Sequence, residues 1–185
     1  MKITDSRFKE IEKELNVQFY KVDSITLVRG ENGSFAQFPQ LRFNNVKNYP
    51  YLAGVDGTTE FCHFKPNLPK EKGVYLWVVD DEIIYLGEAV DLRSRFVTGY
   101  GHISPRNCFK GGQSTNVKMN RVALNYYKQG KTIDIYIILT EKHKEVELYL
   151  LNRINTKYNV QNNWCKKRKS KKEEAGKEEE EKNLL

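Results

Sequence analysis

The stretch GVYLWVVDDEIIYLGEAVDLRSRF, residues 73–96, constrains the fold more than any other part of the chain. Two apolar, strand-type runs, GVYLWVV and IIYLG, flank the acidic turn DDE, which predicts a β-hairpin. Asp91 is placed to cap a short helix, DLRSRF, directly after it. With a three-residue loop at 80–82, Val79 pairs with Ile83, Tyr75 with Gly87 and Trp77 with Tyr85. Both tyrosines then face the same side of the sheet, and Gly87 leaves space where Tyr75 needs it. A two-residue loop would break this register. Strand tyrosines ordinarily pack in a core with the hydroxyl satisfied.

Elsewhere, residues 5–15 read as a helix with Asp5 as N-cap and Phe8, Ile11 and Leu15 as its apolar stripe. SITLVR (24–29) reads as a strand, ENGS as a turn, and FAQFPQLRF as a returning strand with Pro39 at an edge. Residues 44–70 read as irregular. A polar loop spans 99–116, a helix runs over about 117–129 to Gly130, TIDIYIILT is a third strand, and a helix follows over 142–154. The order β-β-α-α-β-α, starting at the hairpin, belongs to a small α/β layer with helices packed on a three-stranded sheet. Residues 1–70 form an N-terminal extension with a helix and short strands. Residues 166–185, a Lys/Glu tract, cannot bury enough surface for a core of their own.

The chain of 185 residues carries a net charge of +7. The tail holds eight Lys/Arg against six Glu, a net of +2, so the body keeps +5. A basic body favours polyanions such as nucleic acid, or serves solubility alone. No apolar run reaches the roughly 18–20 residues that span a bilayer, and MKITDSRFKE lacks the apolar core of a secretory signal. Three cysteines, Cys62, Cys108 and Cys165, make no disulfide framework and fit a reducing cytoplasm. Cys62-His63 with the other cysteines lacks the paired spacing of a zinc site.

Helical spacing selects which polar residues face inward. Leu150, Leu151 and Ile154 lie three, four and seven positions beyond Glu147, so Glu147 belongs to the apolar stripe and Glu145 faces water. A carboxylate on such a face needs a cation, a metal or a cleft. In DLRSRF, Arg95 lies between Leu92 and Phe96, so it, rather than Arg93, looks toward the sheet.

GVY (73–75), YLG (85–87), Arg95, Glu147 and Asn159 together resemble the GIY-YIG nuclease superfamily. Val74 and Leu86 stand where the two tripeptides have Ile. GEAVDLRSRF is similar to the family's run from YIG to its arginine. Glu147 precedes the Asn of Tyr158-Asn159 by 12 residues, as the family's metal-binding glutamate does. The resemblance covers roughly residues 72–164 and implies a catalytic domain over 71–165, with a central three-stranded antiparallel sheet flanked by helices.

The activity so implied is metal-dependent hydrolysis of DNA phosphodiesters to 5′-phosphate and 3′-hydroxyl ends. Glu147 would hold Mg²⁺ or Mn²⁺, and Arg95 a phosphate oxygen. Tyr75 would act as general base or orient the attacking water, Tyr85 would help position that water or Tyr75, and Asn159 would anchor the site. Relatives often place a Tyr or His one helical turn past the arginine. Here that position is Gly99, with Tyr100 and His102 close behind as the candidates for supporting contacts. Glu88 stands where many relatives have Lys; it reads as an exposed strand-end charge, with a second acidic group near the site as the alternative. Lys110, Lys118 and Arg121 flank the polar loop and are candidates for DNA-backbone contact. With no tandem DNA-binding repeats, the chain looks like a compact restriction-type nuclease, for which a homodimer and a cognate DNA methyltransferase are the partners besides DNA. The other readings are a structure-specific repair or mobile-element nuclease, and a non-catalytic nucleic-acid-binding module. Residues 1–70 would supply DNA contacts or dimerisation.

Overall fold

The computed structural model describes residues 1–30, 33–39 and 49–159. Residues 160–165, the charged tail and the end of FAQFPQLRF lie outside the described residues. The structure is mixed α+β, with a four-stranded antiparallel sheet, a two-stranded ladder and helices on both sheet faces. The hairpin forms β4 (Gly73–Val79) and β5 (Glu82–Ala89), and TIDIYIILT supplies β6 (Asp134–Leu139). To these three strands the N-terminal region adds a fourth, β1 (Tyr20–Ser24), hydrogen-bonded to β6, giving the order β1-β6-β4-β5.

The expected strand at 24–29 is therefore split. Ser24 ends β1, and β2 (Leu27–Val28) turns away to pair with β3 (His63–Phe64). FAQFPQLRF contributes a single bridge, Gln37 to Phe61, within its described part. The extension is thus joined to the sheet by backbone hydrogen bonds across the boundary at residue 71.

All seven β4 residues are buried. Their alternation sends Val74, Leu76 and Val78 to one face, where α1 (Ser6–Leu15) adds Phe8 and Ile11 and α4 (His143–Leu151) adds Val146 and Leu150. Tyr75, Trp77 and Val79 point to the other face. There they meet Leu92 of α2 (Leu92–Ser94), Phe96, Tyr100, and Met119 and Val122 of α3 (Ser114–Lys128). Helix α1 ends where Asn16 adopts the left-handed conformation at φ 51° and closes the last turn. Asp5 precedes α1 but spends its carboxylate on the Lys2 amide at 2.7 Å, not on the helix.

The hairpin register matches the expected pairs, Tyr75 with Gly87 and Trp77 with Tyr85, by a different route. The turn holds two residues, Asp80 and Asp81, both at positive φ (50° and 65°), as a two-residue hairpin turn of the primed type requires. Val79 therefore pairs with Glu82 and Val78 with Ile83. A bulge then inserts Ile84 before Tyr85 and returns the strand to register. Ile84 and Tyr85, though adjacent, both pack into the core on the Tyr75 face.

One buried amide ties the layers together. Asn120 of α3 accepts from the Cys62 amide at 2.9 Å and donates to the Cys62 and Tyr100 carbonyls at 2.8 and 2.7 Å. Asn120→Leu strips three backbone groups of their partner. It should cost about 3 kcal/mol of stability, read as a lower urea midpoint with an unchanged slope.

Candidate active site

Strand β5 is an outer strand of the sheet, and the cleft opens along it. Tyr75, Tyr85, Gly87, Glu88, Arg95, Lys118, Glu147, Tyr158 and Asn159 are among the residues lining a cavity of about 290 Å³. Tyr75 and Tyr85 reach it from one sheet face; Glu147 comes from α4, which packs on the other.

Asn159 anchors the outer strand. Its Oδ1 accepts from the Leu86 amide at 2.9 Å and its Nδ2 donates to the Leu86 carbonyl at 2.7 Å. The Tyr158 amide adds a bond to the Ile84 carbonyl at 3.1 Å. Through that one backbone bond and the Asn159 side-chain amide, residues 158–159 cover the hydrogen-bonding edge of β5 beside YLG. A Cβ at Gly87 would fall 2.4 Å from the Tyr75 hydroxyl oxygen, so only glycine lets that phenol lie across β5.

After α2 the chain forms a π-helical turn, Arg95–Tyr100, closed by the Gly101 amide donating to the Phe96 carbonyl at 2.6 Å. In such a turn residues five apart, not four, come to one face. Tyr100 therefore takes the place one turn beyond Arg95 that α-helical spacing assigns to Gly99. The Arg95 guanidinium lies 4.8 Å from the centre of the Tyr100 ring. The Tyr100 hydroxyl bonds to those of Tyr75 at 2.6 Å and Tyr85 at 3.2 Å, and Arg95 Nε donates to the Tyr75 oxygen at 3.4 Å. Three buried phenols and a guanidinium thus form one network. Arg93, by contrast, turns outward and donates to the Leu68 carbonyl at 2.7 Å.

Burial raises Tyr75 well above the ordinary phenol range; Tyr85 adds to this and Arg95 partly offsets it. Tyr85 and Tyr100 are raised for the same first reason, so all three phenols keep their protons near neutrality. Burial works against the Arg95 charge, and the hydrogen bond to the Tyr75 oxygen favours it, so the guanidinium stays protonated. The Glu147 carboxyl is pushed up to about 7, first by desolvation and then by the nearby Glu88 charge; Arg95 opposes the shift. Among the described residues, no lysine or arginine forms an ion pair with Glu147. Glu145 faces water, as the helical spacing requires.

Glu88 is not a free strand-end charge. It is half-buried, lines the cleft, and accepts from His143 Nδ1 at 2.6 Å. His143 lies one turn before Glu147 on the same helix face, so the helical spacing that selects Glu147 also selects His143. Of the proposed DNA contacts, Lys118 lines the cleft, with its ammonium donating to the Tyr158 carbonyl at 2.7 Å. Arg121 is exposed and donates to the Gly54 carbonyl at 2.8 Å, on the far side of Lys118 in a neighbouring cavity of about 700 Å³. Lys110 is exposed and does not line the cleft. His102 is exposed, faces His63 at 5.6 Å and does not line the cleft. Cys62 and Cys108 are buried, their thiols pushed up by desolvation to about 12 and about 11, and Cys165 lies outside the described residues. No group of three His, Cys, Asp or Glu is placed to hold a metal among the described residues.

No family model and no curated protein matches the chain. It is similar to a solved structure of a mutant form of bacteriophage T4 EndoII, with a TM-score of 0.49, 19% sequence identity, and coverage of 82% of this chain and 98% of that one. No helix among the described residues is long and apolar enough to cross a membrane.

Proposed function

We propose that this protein is a metal-dependent DNA endonuclease of the GIY-YIG type, acting as a restriction-like enzyme. The observation that carries the reading is the convergence of Tyr75, Tyr85, Arg95, Glu147 and Asn159, drawn from separate elements, on one cleft beside β5, with Tyr100 buried behind it and bonded to both phenols. A cleft with a half-buried guanidinium and a carboxylate that makes no ion pair among the described residues suits a phosphodiester and a divalent cation together.

The donor set fits Mg²⁺ or Mn²⁺. Glu147 makes no ion pair among the described residues and stands beside a second carboxylate, with the Arg95 charge only partly offsetting its burial; Mg²⁺ is commonly bound by one or two carboxylates, with water and phosphate oxygens completing the shell. Bound there, the cation would neutralise charge on the phosphate and on the leaving 3′ oxygen. Arg95 would hold a non-bridging phosphate oxygen by charge-assisted hydrogen bonds. Of the two roles for Tyr75, orienting the attacking water suits its burial better than acting as base, because the phenol resists losing its proton. Tyr100 would fix Tyr75 and Tyr85 relative to each other, Asn159 would keep YLG in place, and Lys118 would stand at the rim. The products would carry 5′-phosphate and 3′-hydroxyl ends. A homodimer, a cognate methyltransferase and a cytoplasmic setting go with the restriction reading.

Plasmid nicking tests the reading: supercoiled DNA should be opened with Mg²⁺ and left intact with chelator. Binding without cleavage under any divalent cation would instead identify a non-catalytic module, and preference for branched over linear DNA a structure-specific enzyme.

A pH profile follows from Glu147. Its carboxylate is needed to hold the cation, and it protonates near 7 in the metal-free protein. At limiting Mg²⁺, nicking should fall about tenfold per pH unit below that point. Raising Mg²⁺ should move the acid limb to lower pH. Since the folded value exceeds the unfolded one, the metal-free protein should also lose stability as pH rises from 4.5 to about 7.

A further inference from the structure

A second cavity, of about 540 Å³, adjoins the cleft and shares Glu88 and Arg95 with it. Its remaining wall includes Asp91 and Ser94, Thr98 of the π-helical turn, Lys144 of α4, and Gln113 and Asn116 at the opening turn of the 15-residue helix α3. Asn116 is 2% exposed, and its Oδ1 has no hydrogen-bond partner, while its Nδ2 donates to Gln113 Oε1. A buried carbonyl oxygen left unmatched costs stability unless a ligand completes it. The oxygen accepts only, so the group it awaits is a donor.

We infer that this cavity seats the nucleotide adjoining the scissile phosphate and reads its base through an exocyclic amino group donating to Asn116 Oδ1. The inference rests on the nuclease reading and adds to it a determinant of sequence preference. Three features argue for a nucleotide over another donor. Arg95, the proposed phosphate ligand, forms the partition between the two cavities, so a strand lying across it delivers its next residue here. Lys144 is exposed and lines the same cavity, a counter-charge for backbone phosphate. The volume exceeds what a single water or ion needs. Gln113, held by Asn116, offers the rest of its amide to the same base edge.

The test is cleavage mapping on DNA of randomised sequence by the wild-type protein with Mg²⁺, followed by single-base analogues. The expected result is a preference, at a position next to the cut, for a base bearing an exocyclic amino group. Replacing that base by its analogue without the amino group, inosine for guanine or purine for adenine, should slow cleavage about tenfold. Asn116→Leu should flatten the profile at that position alone, and Asn116→Asp, which keeps an acceptor oxygen, should retain it. Equal cleavage of parent and analogue overturns the inference while leaving the nuclease reading intact, and it needs no variant to fold. A profile unchanged in Asn116→Leu overturns it as well. Absence of any cutting by the wild-type protein removes the nuclease reading and this inference with it.

Discussion

On the proposed mechanism, Glu147→Gln should lower Mg²⁺-dependent nicking by about a thousandfold or more, since it removes the carboxylate that would hold the cation and with it several kcal/mol of transition-state stabilisation. The same variant should be more stable than the wild-type protein at pH 8 without metal. There the native carboxylate is ionised, desolvated and beside Glu88, and the neutral amide relieves both penalties. Loss of activity with a gain in urea midpoint separates a functional role from a structural one. A variant that is inactive because it is less stable would count against the assignment.

Gly87→Val should act on the same site from the backbone side. The new Cβ would meet the Tyr75 hydroxyl at 2.4 Å and its ring carbon Cζ at 2.7 Å. Tyr75 is buried, with Phe96 at 5.0 Å between ring centres, so it has little room to yield except toward the cleft it lines. Overpacking of this kind costs about 1–3 kcal/mol. Displacing the phenol from Arg95 and Tyr100 should cost about a hundredfold in rate even where the protein remains folded. Combining Gly87→Ala with Tyr75→Phe removes the nearest clashing atom. It should recover part of the stability lost in Gly87→Ala and none of the activity, a coupling that a double-mutant cycle reads directly. Full activity in Gly87→Val would remove Tyr75 from the reaction.

The hairpin shows how much of this was legible in the sequence. The pairs Tyr75–Gly87 and Trp77–Tyr85 follow from a three-residue loop, yet the loop has two residues and a bulge at Ile84 compensates. Loop length and bulge shift the register in opposite senses, and apolar pattern alone cannot separate them, because Ile83, Ile84 and Tyr85 are all buried. Helical periodicity placed Arg95 and Glu147 because both sit on faces with a clear apolar stripe. It misassigned the turn beyond Arg95, because a π-helical insertion leaves no mark in residue type. It also missed β1, whose residues YKVDS are exposed or half-buried and carry too little apolar alternation to read as a strand. Glu88 read as a surface charge because its partner, His143, is 55 positions away.

The pairing of β1 with β6 bears on the order in which the molecule assembles during synthesis. Tyr20–Ser24 leaves the ribosome early, yet its partner Asp134–Leu139 follows only after about 110 more residues. The β4–β5 hairpin, joined by two residues, can close as soon as it emerges, whereas β1 must wait. A chain begun at residue 71 would never receive that strand. The flank of β6, with Ile135 and Ile137 in the core beside it, would be left as a template for pairing with other chains, and such a truncation should precipitate or swap strands where the longer protein stays monodisperse.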